Sequence, residues 1–310
     1  MGLKGFVEGG LASIVAGSVT HPLDLIKVRM QLQGEIAAPA SYLLAGISPS
    51  NLQTRQSGNA LAVGRQVVQT EGVMALYSGV TASILRQVLY SSTRLGLYEV
   101  IKSQWTSSSG DKTLPLHKKI AAGLIAGGVG AAVGNPADVA LIRMQADGRL
   151  PMHQRRNYAG VGDALVRIIR QEGVASLWTG SGPTVQRAMV VTASQLATYD
   201  QVKDSIIKQH IMPDGLPTHV TASLVSGFVT SVASNPIDVI KTRIMNMEVQ
   251  PGQKPPYSGA LDCAVKTISK EGPMALYKGF IPTVSRQGPF AVVLFVTLEQ
   301  VRSLLQALHM

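Results

Sequence analysis

Three stretches of this chain repeat one another in residue type and interval, and no other property constrains the fold as much. Pro22-Leu23-Asp24, Pro136-Ala137-Asp138 and Pro236-Ile237-Asp238 each interrupt an apolar stretch rich in small residues. Each is followed by a Glu-Gly pair (Glu71-Gly72, Glu172-Gly173, Glu271-Gly272) and then by an arginine inside an apolar segment: Arg86, Arg187 and Arg286. The Glu-to-Arg offset is 15 in every copy, and successive glutamates lie 101 and 99 residues apart. Three units of about a hundred residues imply a pseudo-threefold assembly with three equivalent arginines aimed at one axis.

The composition places that assembly in a bilayer. Charged residues make up 15% of the 310, against about 25% in soluble chains, and the 31 glycines suit closely packed membrane helices. A net charge of +10 fits nucleic acid, an acidic membrane surface or anionic substrates. Without a Lys/Arg stripe interleaved with aromatics, nucleic acid is the weakest of the three. The single cysteine, Cys263, excludes an internal disulfide framework. The sequence offers no nucleophile–base pair, metal cluster or phosphate loop, so it reads as no enzyme and as needing no cofactor. The opening residues lack an arginine-rich presequence, and targeting is expected to be internal.

Apolar stretches near 5–32, 73–101, 116–144, 180–206, 218–244 and 280–306 are each long enough to cross a core of about 30 Å. The fold expected is an all-α membrane protein with six transmembrane helices, two per repeat, in repeats spanning 1–106, 113–207 and 214–308. The odd segments carry the prolines, which delete a backbone donor and bend the helix, bringing three helix ends together at one mouth. They also carry small residues every fourth position (Gly9-Ser13-Gly17, Gly123-Gly127-Ala131, Ser223-Gly227-Ser231), a spacing that predicts close helix approach. Amphipathic patterns such as 164–170 and 264–270 predict short helices along the membrane surface. A longer first connection, 38–57, reads as a loop. The odd-to-even connections and their flanks hold 16 of the 28 Lys/Arg, so the positive-inside rule places them in the negative compartment and both termini outside it.

Each proline is followed by acid and base: Asp24-Leu-Ile-Lys27, Asp138-Val-Ala-Leu141 and Asp238-Val-Ile-Lys241. A second set ends the even segments: Tyr98-Glu99 to Lys102, Tyr199-Asp200 to Lys203, and Glu299 to Arg302. Two charge rings at opposite mouths make two gates, and closing one at a time is alternating access. Arg86, Arg187 and Arg286 lie midway. An arginine at bilayer centre costs at least about 2.5–3.5 kcal/mol, so all three must face water, and a cationic cavity takes an anion. Arg94, two turns beyond Arg86, is a further candidate to tune the site. Position 141 departs from the pattern: leucine leaves Asp24 without the base expected there, unless Arg143 swings in.

These residues resemble the signature of the mitochondrial carrier family, Pro-x-[Asp/Glu]-x-x-[Lys/Arg]-x-[Lys/Arg], followed by [Asp/Glu]-Gly-x4-[aromatic]-[Lys/Arg]-Gly, three times over. The second half is present as Glu71-Gly72 to Tyr77-Ser78-Gly79, Glu172-Gly173 to Trp178-Thr179-Gly180, and Glu271-Gly272 to Tyr277-Lys278-Gly279. The resemblance implies a multi-pass exchanger of the mitochondrial inner membrane, functional as a monomer, with both termini toward the intermembrane space and cardiolipin at helix N-termini. It implies substrate contacts at Arg86, Arg187 and Arg286. It also implies a matrix gate of Asp24, Lys27, Asp138, Asp238 and Lys241 with glutamine braces at Gln31 and Gln145, Met245 departing from that pattern. The opposite gate would comprise Glu99, Lys102, Asp200, Lys203, Glu299 and Arg302, with Tyr98 and Tyr199 as braces. Arginine at all three contact points is similar to the branch holding dicarboxylate, oxoglutarate and uncoupling proteins; the stretch 135–151 most resembles dicarboxylate and oxoglutarate carriers, and 20–33 resembles dicarboxylate carriers, especially the plant ones related to uncoupling proteins. The expected activity is exchange of small dicarboxylates with each other or with phosphate. Proton conduction and oxoglutarate/malate exchange are the alternatives.

Overall fold

The computed structural model describes residues 3–35, 59–109, 116–150, 152–209, 215–248 and 255–307; the expected loop at 38–57 lies outside them. The described residues are helical, with no strand. Six helices are long: α1 (Leu3–Gln31), α3 (Val80–Ser109), α4 (Leu116–Asp147), α6 (Ser181–Lys208), α7 (Leu216–Asn246) and α9 (Phe280–Ala307). Three are short: α2 (Ala60–Glu71), α5 (Val161–Glu172) and α8 (Ala260–Glu271), each leading through a single 3-10 turn into the following long helix. The element order long–short–long occurs three times.

Helices α1, α4 and α7 run through Pro22, Pro136 and Pro236 without ending. The closest helix pairs join different repeats: α3 with α4, α6 with α7, and α1 with α9. The bundle is therefore closed into a ring by inter-repeat contacts. At the proline end the odd helices converge on an apolar layer of Val28, Leu32, Val139, Ile142, Ala146 and Met245, sealed from outside by Ile168 and Leu177.

The Glu-Gly pairs explain the abrupt turn after each short helix. Gly72, Gly173 and Gly272 have φ between +83° and +88° and return their N–H groups to Val68, Ile169 and Ile268, a left-handed C-cap that only glycine adopts without strain.

By length and composition alone, three helices qualify as membrane spans: Glu8–Gln31, Ala121–Asp147 and Pro273–Ser303. A fourth qualifies if Ala60–Glu71 and Val73–Thr106, bent by 119°, count as one span. In α7 polar side chains are turned inside the bundle, with Ser226, Thr230, Ser231, Ser234 and Asn235 buried; α6 buries Thr184.

The small-residue stripe does what its spacing predicts only in the third repeat, where a Cβ at Gly227 would lie 2.7 Å from Gln287 Oε1 and buried Ser231 accepts from Gln287 at 2.6 Å. A side chain at Gly9, Gly17, Gly123 or Gly127 would meet nothing within 4 Å, and Ser13 and Gly17 line a cavity. Close approach occurs instead at Gly130, where a Cβ would lie 3.3 Å from the Tyr90 carbonyl, and at Gly134, 3.6 Å from Tyr90 Cβ. Four-residue spacing puts residues on one face, but it cannot say whether that face meets a helix or a void.

Candidate anion site and gate

Where the odd helices converge, three carboxylates alternate with five cations. Asp238 receives Lys27 Nζ at 2.7 Å from repeat 1 and is also paired with Arg187 of repeat 2. Asp138 receives Lys241 Nζ at 2.8 Å from repeat 3 and lies 3.4 Å from Arg86 Nε of repeat 1. Asp24 is paired with Arg286 of repeat 3 and, among the described residues, with no other cation. The rule is cyclic: each aspartate takes a lysine from the next odd helix and an arginine from the preceding even one. Leu141 occupies the place where the third lysine would stand. Its carbonyl lies beside Gly79 as that of Lys27 lies beside Gly279, so the register is conserved and only the charge is missing.

Two sequence expectations change here. Arg143 does not turn to Asp24: it is 1% exposed and bound to Glu172, to the Met245 carbonyl at 3.2 Å and to the Met247 carbonyl at 2.8 Å. The base Asp24 finds is Arg286. The three arginines, moreover, do not stand free midway between two gates. Each reaches an aspartate of the closed layer, so the expected contact points and the expected matrix-side gate form one charge network. A guanidinium on a long stem spans levels that residue counting keeps apart.

Beneath this layer lies a second threefold set. Arg29, Arg143 and Arg243 grip Glu71, Glu172 and Glu271 through both nitrogens, with Nη2–Oε2 distances of 2.7, 2.9 and 2.9 Å. Their Nε atoms donate to the carbonyls of Gln145, Met245 and Gln31 on the next repeat, at 3.2, 3.2 and 3.4 Å. Bidentate, charge-assisted bonds are the strong ones, and here each also ties two repeats together. Glu271 is half-buried, which favours the neutral acid, but hydrogen bonds from Arg243 and Lys278 hold it below its ordinary range. The residues before the prolines form a third set. Asn135 Nδ2 donates to the Leu177 carbonyl and Asn235 Nδ2 to the Leu276 carbonyl, both at 2.8 Å, while His21 Nε2 meets the Ser78 carbonyl at 2.9 Å. Sequence reasoning missed this clamp on the turn that launches each even helix, although a polar residue preceding every proline was its signal.

The expected glutamine braces are buried under the charge layer. Gln31 Oε1 accepts from Thr242 at 2.8 Å, whereas the Gln145 amide has no partner among the described residues. Met245 fills the third place and packs on Gly180.

The opposite ring is differently arranged. Lys102 lies 3.9 Å from Glu99 of its own helix, both exposed, and Arg302 donates to Glu8 of α1 at 3.1 Å, not to an acid of the ring. Tyr199 is bound to His219 at 2.6 Å. Asp200, Lys203 and Glu299 lie on the same even-helix ends, and Tyr98 is partly buried. The structure thus draws the proline-end charges together and leaves Lys102 and Arg302 on other partners. Arg94 is exposed and leans over Tyr90, 5.8 Å from the ring centre.

Between the two ends an open cavity reaches the charge layer, lined by Ser13, Gly17, Asp24, Arg86, Arg286 and Phe290, among others. Arg286 lies over the Phe290 ring at 5.3 Å. No group of three or more His, Cys, Asp or Glu able to hold a metal occurs among the described residues.

The model of the mitochondrial carrier protein family matches residues 2–109, 112–210 and 213–308. The chain belongs to the mitochondrial carrier family. As a member of it the chain is a transporter, built of three carrier repeats. It is 62% identical to mitochondrial uncoupling protein 5 of Arabidopsis thaliana, over 98% of each chain. It is 59% identical to mitochondrial uncoupling protein 4 of the same plant, over 99% of each. To the mitochondrial 2-oxoglutarate/malate carrier protein of Mus musculus it is 45% identical over 95% of this chain and 88% of the relative. Expected kinship with dicarboxylate carriers thus resolves to kinship with proteins carrying these two names.

Proposed function

We propose that this protein is an antiporter of the mitochondrial inner membrane. It exchanges small dicarboxylates of the malate, succinate and oxaloacetate type with one another or with phosphate and other small inorganic anions, by alternating access. One observation carries the reading. Among the described residues the charge-layer cations Arg86, Arg187, Arg286, Lys27 and Lys241 face only Asp24, Asp138 and Asp238, leaving two positive charges at the foot of a water-accessible cavity. A dianion neutralises them. At an effective dielectric of about 20 a close carboxylate–guanidinium pair gains about 4 kcal/mol before desolvation is subtracted, and planar guanidinium suits carboxylate geometry.

In this reading Arg86, Arg187 and Arg286 bind the substrate, with Arg94 near the entrance. Asp24, Lys27, Asp138, Asp238, Lys241, Gln31 and Gln145 form the matrix gate, closed here. Glu99, Lys102, Asp200, Lys203, Glu299 and Arg302, with Tyr98 and Tyr199, form the gate toward the intermembrane space, where both termini lie. The protein acts as a monomer among cardiolipin-containing lipid.

Purified protein in liposomes loaded with a panel of anions tests the proposal: labelled malate should enter only against internal dicarboxylate or phosphate. The names of the Arabidopsis relatives favour a second reading, proton conduction. Uptake into empty liposomes as fast as into loaded ones, or a fatty-acid-stimulated proton leak without exchange, would decide for it. Preference for oxoglutarate over C4 diacids would decide for the oxoglutarate/malate alternative.

A further inference from the structure

We propose that the Asp24–Arg286 pair is the trigger linking anion binding to opening of the closed end. The inference rests on reading the arginines as the anion site. Three pairs contain a substrate-facing arginine, and they are not equivalent. When an incoming carboxylate takes Arg187, Asp238 keeps Lys27 at 2.7 Å; when it takes Arg86, Asp138 keeps Lys241 at 2.8 Å. Among the described residues Asp24 has no second cation, because Leu141 stands where one would be. A carboxylate that takes Arg286 therefore leaves Asp24 ionised, 20% exposed and unpaired against the converging odd helices. An uncompensated charge in such a place is unfavourable, and moving α1 away from α4 toward water relieves it.

The geometry puts Arg286 within reach of an entering anion. A cavity that reaches the layer is lined by Arg286, Arg86 and Asp24, and Arg187 is accessible as well, its side chain 39% exposed. Arg286 is backed by Phe290, 5.3 Å away and on the same cavity wall, so the guanidinium keeps a stacking surface as it turns from Asp24 to the ligand. The bond that holds the gate on the α1 side and the bond that greets the anion share one guanidinium. Lys27–Asp238 still ties α1 to α7, so opening should begin between α1 and α4, where Leu141 leaves no lysine–aspartate bridge.

The test uses full-length protein in which Cys263, the single cysteine, is replaced by serine and a reporter thiol is placed by Val28→Cys in the apolar layer under the gate. Labelling by a membrane-impermeant maleimide reports opening of the closed end, with and without malate. Malate should accelerate labelling of this parent. Asp24→Asn should raise anion-free labelling about fivefold, the population shift expected from losing one partly exposed pair, with little further response to malate. Leu141→Lys, which supplies a cation the anion does not displace, should cut malate-driven labelling about fivefold, while Leu141→Met, matched in size, behaves as the parent. Lys27→Gln should raise the basal rate yet keep the malate response. A Leu141→Lys protein that responds like the parent, or an Asp24→Asn protein that stays as closed as the parent without anion, overturns the proposal. A parent that responds to neither malate, succinate nor phosphate overturns the dicarboxylate reading instead. The two failures are told apart by Asp24→Asn, which is scored without any anion.

Discussion

Gly180 shows how one residue can satisfy two constraints. Its φ of +79° lies in the left-handed region, and a Cβ there would sit 2.7 Å from Cγ of Met245 on the next repeat. Gly180→Ala should therefore cost about 1–2 kcal/mol for the backbone alone, plus displacement of Met245, and lower the melting temperature in detergent. Gly182→Ala, two residues on, with ordinary φ and nothing within 4 Å, should not. Glu35 makes a different demand. It lies where all three repeats meet, hydrogen-bonded by Asn246 at 3.0 Å. Burial raises its pKa to about 7; Arg149, the Asn246 bond and Arg243 oppose the rise, and Glu271 adds to it. A pKa raised on folding contributes stability that is complete below the ordinary carboxylate value and lost as pH climbs through the folded one. Melting temperature should accordingly fall between about pH 5 and 7, and Glu35→Gln should flatten that slope. An unchanged profile would show that Glu35 is not the titrating group.

At the scale of elements, helix contact and cavity wall are separable by mutation. Gly17 faces the cavity, and Gly130 faces the Tyr90 carbonyl across α3 and α4. Gly17→Leu should leave thermal stability nearly unchanged and reduce anion uptake at least tenfold by filling the path. Gly130→Leu should do the reverse in order of cause, lowering the melting temperature first because two backbones can no longer approach. Overpacking of this kind costs about 1–3 kcal/mol. The clamps by Asn135, Asn235 and His21 belong to the same scale: they fix the turn from which each arginine-bearing helix starts. Element type was legible in the sequence because periodicity and turn glycines act locally. The partner of each face was not, because the small-residue stripes of all three odd helices look alike from within.

For the molecule as a whole, the quantity that matters is the charge of the closed layer. Replacing Arg86, Arg187 or Arg286 by Ala lowers its excess from two positive charges to one. Uptake of dicarboxylates should fall at least tenfold in each variant, while monocarboxylate uptake falls less. Equal losses for both classes would mean that the arginines shape the cavity instead of matching the substrate's charge. At the proline end the charges are drawn together, while at the other end Arg302 is drawn to Glu8 and Lys102 to Glu99. Under the proposed alternating access, transport exchanges which end is sealed.

The threefold repeat, the six long helices, the acid–base rings and the three arginines follow from the sequence alone, because each is set by local spacing that repeats near every hundredth residue. The pairs Lys27–Asp238 and Lys241–Asp138 are those the carrier-family resemblance implies, and the gap at Leu141 was visible as a missing charge. What filled that gap was not visible. Arg286 and Asp24 are 262 residues apart, and only closure of the ring, setting α9 against α1, brings them together. Arg143, much nearer in sequence to the gap, is withdrawn by Glu172 and two carbonyls of the next repeat. Charge and period are properties of the chain. Which neighbour a charge chooses is a property of the packed bundle, because competing partners within reach exist only after folding.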